Sequence, residues 1–189
     1  KEEVRAGEST GTSKRDFVFT EAELSTKEIY TIAGAKGNGK TAFSMGFPGT
    51  IAVLSFDRKS VQIKVNYFNN DPRIKVYDVV VYYERDESKV LDSATVTLEY
   101  INFILDKLSI ERPDWIVVDG AEILQKIAEF VMRKRAGLSP YQGIANLNVW
   151  KIRNSVIESI HHKCIQIAKK GLIYTTYTET NEIIEEGTL

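Results

Sequence analysis

Residues 34–41 combine glycines with a lysine and a threonine at a spacing that suits phosphate binding. The segment Gly34-Ala35-Lys36-Gly37-Asn38-Gly39-Lys40-Thr41 fits G-x-x-x-x-G-K-[ST], the pattern of a phosphate-binding loop. Glycines let such a loop turn tightly, so that successive backbone N–H groups point at an anion. The predicted nucleotide-binding residues are Gly34, Ala35, Lys36, Gly37, Asn38, Gly39, Lys40, Thr41 and Ala42. The alternative is a glycine-rich turn that carries an unrelated lysine.

Lys40 and Thr41 have separate chemical tasks in this interpretation. We expect Lys40 to contact the β- and γ-phosphates as a catalytic residue, and the Thr41 hydroxyl to bind Mg²⁺. The flanking sequence agrees, because residues 28–33 are predicted to form a strand and residues 41–45 to begin a helix. The amino end of that helix adds the positive end of its dipole. ATP with Mg²⁺ is therefore the predicted ligand.

Asp119 is the predicted second metal ligand. It follows the apolar run Trp115-Ile116-Val117-Val118, and four apolar residues before an aspartate form the Walker B pattern. A carboxylate at the carboxyl end of a parallel strand lies beside such a loop and can hold Mg²⁺, usually through water. Alone, the same pattern is also compatible with an aspartate that caps a helix.

Two further acids are candidates for orienting the attacking water. Asp57 ends the apolar segment 51–56, and a carboxylate there can polarise a water molecule beside the γ-phosphate. Glu122 is the rival base, although it equally suits the first turn of a helix. Asp57 also suits a turn or a cap before Lys59 and Ser60. The sequence leaves these alternatives open.

Apolar periodicity predicts an α/β fold with a mostly parallel central sheet flanked by helices. Predicted strands follow the loop at 51–56, 74–79, 115–118 and 172–177. A predicted helix is capped by Asp92 or Ser93, and others span 121–134 and 147–169, whereas 62–68 is open between helix and irregular structure. Residues 1–16 are polar and predicted to form a flexible tail, and residues 17–189 to form one domain.

Net charge, cysteine content and apolar runs bear on nucleic-acid binding, on disulfides and on membrane insertion. The net charge of −1 over 189 residues does not indicate a nucleic-acid binder, so any such role needs a local patch. The single cysteine favours a reducing cytoplasm over a disulfide-stabilised fold. No apolar run approaches the roughly 20 residues of a membrane span, so no membrane partner is expected.

The order of these segments resembles the RecA/RadA family, most of all the short single-domain RecA-like ATPases of phages and archaeal viruses. The segments GAKGNGKTAFSMGFPG, IAVLSFD, DWIVVDG and GLIYTTYTET carry the resemblance over residues 28–180. It implies a three-layer P-loop ATPase fold and a homo-oligomer, ring or filament, with the nucleotide near a subunit interface. For a viral protein, the expected location is the host cytoplasm.

The resemblance also implies roles for individual residues. Asp57 stands at the position of the family's catalytic glutamate, and its shorter side chain is a departure that puts the rate of hydrolysis in doubt. Thr176 or Thr178 stands at the position of the polar residue that senses the γ-phosphate.

The family's DNA-binding loops correspond to residues 133–142 and to the stretch after Thr178. The first contains Arg133, Lys134, Arg135 and Tyr141, a predicted phosphate clamp with a stacking residue for single-stranded DNA. The second is acidic at 181–186, so it is either a poor DNA contact or an incomplete end of the fold.

The leading prediction is therefore a Mg²⁺-dependent ATPase, stimulated by DNA. A small-molecule kinase and a nucleotide-gated regulatory or assembly module with little turnover are the alternatives.

Overall fold

The computed structural model describes residues 26–178 as a sheet with helices on both faces. Its elements are β1 Glu28–Gly34, α1 Lys40–Met45, β2 Ile51–Ser55, α2 Ser60–Phe68, β3 Ile74–Asp78, α3 Val90–Glu111, β4 Trp115–Asp119, α4 Ala121–Arg135, α5 Trp150–Ile167 and β5 Gly171–Tyr177. A 3₁₀ turn, Leu147–Val149, precedes α5. The predicted tail at 1–16, the domain start at 17 and the acidic segment at 181–186 lie outside the described residues.

The sheet has five strands in the order β1-β5-β4-β2-β3, and every neighbouring pair is parallel. This confirms the predicted α/β class and the parallel sheet. All residues of β2 and β4 are buried, as their almost continuous apolar sequence predicts for strands covered on both faces.

Two apolar cores lie on opposite faces of the sheet. Residues of β2 alternate between them, with Ala52 and Leu54 in one core and Ile51 and Val53 in the other. Helices α3, α4 and α5 supply the larger core, whereas Met45 of α1 and the partly buried Ile63 of α2 pack in the smaller one. The period-2 alternation of side chains along a strand therefore divides the same strands between two layers of helices.

Several helix boundaries differ from the prediction. Helix α3 begins at Val90 with Lys89 at its cap, so the predicted cap at Asp92 or Ser93 is wrong. The Ser93 hydroxyl instead accepts a hydrogen bond from the Glu84 N–H at 3.1 Å and fastens the preceding loop to the helix. The long helix predicted for 147–169 begins at Trp150 and ends at Ile167. Residues 62–68, left open by the sequence, belong to α2.

The carboxyl ends of β2, β4 and β5 form one edge, where the polar residues of the strands meet. Ser55 pairs in register with Asp119, and Asp119 pairs with Thr175. Because β5 lies between β1 and β4, its last residues stand between the glycine-rich loop and Asp119. Parallel strands gather ligand-binding residues at this edge in open α/β sheets.

Among residues 26–178, no helix combines the length and the apolar character that a membrane crossing requires.

Candidate functional site

The glycine-rich loop connects β1 to α1, as the motif requires. Gly37 and Gly39 have φ angles of 89° and 72°, a left-handed conformation that other residues adopt at a cost. The Phe43 N–H bonds to the Gly39 carbonyl at 2.8 Å. The earlier N–H groups of α1, at 40–42, have no acceptor within the helix, since a helix leaves its first amides unpaired. The strand and the helix predicted on either side of the loop are confirmed.

Lys40 is folded back into this loop. Its Nζ donates to the carbonyl oxygens of Gly34 and Ala35, both at 2.9 Å, and lies 4.2 Å from the centroid of the Tyr177 ring. The residue is buried. Since a buried ammonium needs compensating acceptors, the two carbonyls and the aromatic face hold this charge inside the loop.

Asp119 is buried and accepts hydrogen bonds from three hydroxyl groups that the fold brings together. Its Oδ1 accepts from Thr41 Oγ1 at 2.8 Å and from Thr175 Oγ1 at 2.6 Å. Its Oδ2 accepts from Ser60 Oγ at 2.7 Å. A carboxylate can only accept, so each hydroxyl must use its proton in that bond. Both oxygens of Asp119 are thereby oriented.

Two members of this network were not found from the sequence. Ser60 begins α2, and its hydroxyl also lies 2.6 Å from that of Ser55. Since the Ser60 proton goes to the carboxylate, the Ser55 hydroxyl is the donor between the two serines. Thr175 accepts from the Gly120 N–H at 3.1 Å as well as donating to Asp119. Its position at the polar end of its strand was the only available signal for Thr175.

The loop and the acidic edge enclose a cleft of about 350 Å³. Residues 36–42 line it. Gly34 and Ala35 do not line it, but their carbonyl oxygens accept the hydrogen bonds from Lys40. The remaining lining residues are Asp57, Lys59, Ile63, Tyr67, Asp119, Gly120, Glu122, Thr175, Thr176 and Tyr177. The predicted Thr176 therefore faces the cleft, whereas its neighbour Thr175 binds Asp119. Thr178, the other predicted sensor, is not among the lining residues.

Asp57 is half-buried and lines this cleft. Burial raises the pKa of its carboxyl, the hydrogen bond from the Lys59 N–H opposes that rise, and the charge of Asp119 adds to it. The Lys59 N–H donates to Asp57 Oδ1 at 3.0 Å. Asp57 thus holds the turn before Lys59 and also lines the cleft. Its position is compatible both with a role as a turn residue and with a role as a water-orienting acid.

Glu122 presents a different environment. Its Oε2 is buried and has no hydrogen-bond partner among residues 26–178. A buried carboxylate oxygen without a donor is costly, so Glu122 Oε2 keeps a hydrogen-bonding capacity that the described residues leave unused. Both acids line the cleft, and the choice between them as a base stays open.

The residues of the predicted DNA clamp lie in different surroundings. Arg133 is buried, donating from Nε and Nη2 to Glu129 Oε1 at 2.9 and 2.8 Å and from Nη1 to the Gln142 carbonyl at 2.7 Å. Lys134 pairs with Asp92 at 2.8 Å. Arg135 lines a separate cavity between α3 and α5, and Tyr141 packs edge-on against Phe130 with centroids 6.2 Å apart. The three cations do not form one surface.

A magnesium ion held at this cleft would have to arrive with most of its oxygen ligands already in place. No group of three or more His, Cys, Asp and Glu side chains within 26–178 is arranged to hold a metal by itself. Magnesium in triphosphate sites takes one or two protein oxygens and completes its shell with phosphate and water. Thr41 Oγ1 and Asp119 Oδ1, which touch each other, provide such a pair.

Comparison with known proteins adds no assignment, since no family model matches the chain and no curated protein matches its sequence.

Proposed function

We propose that this protein is a RecA-like P-loop ATPase that binds Mg²⁺ and ATP in the cleft and couples hydrolysis to DNA binding. The hydrogen bond between Thr41 and Asp119 carries the proposal. These residues belong to two separate sequence patterns, 78 positions apart, yet their side chains meet at 2.8 Å. Each pattern alone is ambiguous, but P-loop NTPases hold Mg²⁺ between the Ser or Thr of the loop and the Walker B Asp, and here the two corresponding side chains are in contact.

Lys40 and the loop amides would bind the triphosphate. Its ammonium already lies within the loop, bound to two neutral carbonyls. Phosphate oxygens are stronger acceptors for an ammonium than carbonyls, because charge-assisted bonds are roughly twice as strong as neutral ones. Phosphate would therefore replace Gly34 and Ala35 as the partners of Lys40.

Thr41 and Asp119 would hold the metal, which when bound neutralises charge on the phosphate oxygens. Ser60 and Thr175 would keep the Asp119 carboxylate oriented throughout, since their hydroxyls donate to its two different oxygens. Thr176, which faces the cleft, would contact the terminal phosphate.

Either Glu122 or Asp57 would orient the attacking water and accept its proton. Glu122 has a buried oxygen that lacks a donor in the described residues, and water can supply one. Asp57 also lines the cleft, and one of its oxygens already accepts a hydrogen bond from the Lys59 amide. That engagement favours a second candidate function, a nucleotide-gated regulatory or assembly module with little turnover.

Phosphate release from ATP by the full chain, with and without a single-stranded oligonucleotide, tests the proposal. We expect Mg²⁺-dependent release that rises when the oligonucleotide is added and that is lost in Asp119→Asn, which keeps the shape of the side chain but removes its charge. Transfer of phosphate to a nucleoside or a sugar would establish the kinase alternative instead. Tight ATP binding without release would establish the nucleotide-gated module.

A further inference from the structure

A groove separate from the nucleotide cleft runs along α4. It has a volume of about 360 Å³. Ile123, Lys126 and Phe130 form its floor, and their spacing places them on one face of the helix. The loop after β3, with Tyr83 and Arg85, forms one wall, and Tyr141 in the loop after α4 forms the other.

Two cations of the groove take part in no ion pair among the described residues. Arg85 and Lys126 are both exposed, and neither forms an ion pair with any residue of 26–178. The acid that lines the groove, Glu129, is paired with Arg133 at 2.8 Å. The two remaining cations therefore face solvent together, as a binding site for an anionic ligand requires.

The aromatic side chains of the groove are held in position. Phe130 and Tyr141 pack edge to face at 87°. Arg133 donates to the carbonyls of Ser139 and Gln142, at 3.4 and 2.7 Å, so its guanidinium fastens the loop that presents Tyr141. Tyr141 is nevertheless 65% exposed. An exposed ring on a fixed loop is available for stacking with a flat ligand.

A second cavity of about 370 Å³ has lining residues in common with both the groove and the nucleotide cleft. It shares Tyr83, Arg85 and Ile123 with the groove and extends to Asp57, which also lines the cleft. Residues that line the groove therefore lie close to Asp57, a candidate water-orienting acid.

We propose that the groove lined by Arg85, Lys126, Tyr83, Phe130 and Tyr141 binds single-stranded nucleic acid. Arg85 and Lys126 contact backbone phosphates, and Tyr141 stacks on a base. Unpaired cations beside aromatic rings are the combination that binds single strands without sequence preference. The basic run 133–135 then serves the groove only indirectly, through Arg133. This inference rests on the proposed function for its link to hydrolysis, which would pass through the cavity at Asp57.

The test is a fluorescence-anisotropy titration of labelled single strands of about 16 nucleotides, oligo-dT and oligo-U in separate arms, without nucleotide. We expect Arg85→Ala with Lys126→Ala to weaken binding roughly tenfold or more, because backbone contacts dominate affinity. The slope of log affinity against log salt should shrink by about 1.4, since each phosphate contact on a single strand contributes about 0.7. The two arms show whether deoxyribose or ribose strands are preferred.

Lys134→Ala with Arg135→Ala is the matched control, since it removes the same charge from the neighbouring basic run. This control should bind close to wild type with an unchanged salt slope. Tyr141→Leu should weaken binding but leave the salt slope unchanged. Wild-type affinity in the Arg85 and Lys126 variant, or an equal loss in the control, would overturn the inference. Because the titration contains no ATP, its failure is distinct from a failure to observe ATP hydrolysis.

Discussion

The glycine-rich loop at 34–41 and the basic run at 133–135 are the most distinctive short patterns in the chain, yet the fold uses them differently. The loop turns between a strand and a helix and directs Lys40 and Thr41 into one cleft. The basic run is dispersed, with Arg133 buried against Glu129, Lys134 paired with Asp92 and Arg135 beside a different cavity.

The two segments differ in whether local or long-range interactions fix the positions of their side chains. The loop is shaped locally, by glycines in left-handed conformations and by the covalent spacing between Gly34 and Lys40. A cation on a helix can point to solvent or to a buried acid, and only its neighbours in space decide which. Arg133 meets Glu129 one helical turn away and two carbonyls from a following loop.

Lys40→Ala gives the largest expected effect. Phosphate release should fall about 100-fold or more, since removing one preorganised charge from a phosphate site costs that much. Lys36→Ala, which removes the other lysine of the loop, is the comparison and should cost much less, because Lys36 is exposed whereas Lys40 is buried. A comparable loss in both variants would mean that the loop acts through its overall charge rather than through its geometry.

Arg133→Ala should lower the free energy of unfolding by about 2–3 kcal/mol, because Glu129 loses the guanidinium that compensates its charge. Lys134→Ala removes an exposed ion pair and should cost less than about 0.5 kcal/mol. Urea denaturation of the two variants measures the difference. Equal and small losses would show that Arg133 is a surface cation like its neighbour.

Thr175→Val should cost about 1.5 kcal/mol and also slow phosphate release, since Asp119 loses a donor and the Gly120 N–H loses its acceptor. Thr175→Ser retains the hydroxyl and should restore release at a small cost in stability. Thermal unfolding and the release assay separate the two roles. Failure of the serine variant to restore release would assign Thr175 a packing role instead.

Asp57→Asn should have the smallest effect on stability, one that depends on pH. Because burial raises the pKa of Asp57 above its ordinary value of 3.8, the folded protein holds this proton more tightly than the unfolded chain. Its ionisation therefore weakens the fold as pH rises through that raised pKa.

The Asp57→Asn variant has no carboxyl to ionise, so it lacks this loss of stability at high pH. Relative to wild type, it should gain roughly 2 °C in Tm at pH 7 and nothing near pH 3, with the gain limited by the water that still reaches the side chain. Thermal melts at the two pH values measure this gain. Phosphate release at pH 7, compared with that of Glu122→Gln, shows which acid orients the water. The same Tm change at both pH values would contradict the assigned cause.

The elements with continuous or periodic apolar patterns were predictable. The segments at 51–55 and 115–119 are strands buried on both faces, as their sequences indicate. The start of α3 was not predictable, because the Ser93 hydroxyl accepts a hydrogen bond from the Glu84 N–H instead of capping the helix. Ser60 and Thr175 escaped notice because a hydroxyl has no pattern of its own. Each became part of the site only when α2 and β5 brought it to Asp119.

By itself the sequence determined the loop, the strand-ending acids Asp57 and Asp119, and the alternation of strands and helices. These depend on backbone conformation and on the periodicity of apolar residues, which are properties of short stretches of chain. The tertiary structure alone decided which hydroxyls orient Asp119. It also decided that, within residues 26–178, one oxygen of Glu122 has no donor and the groove cations Arg85 and Lys126 form no ion pair. Hydrogen bonds and ion pairs between distant residues depend on distances in space, and only the folded sheet and its helices set those distances.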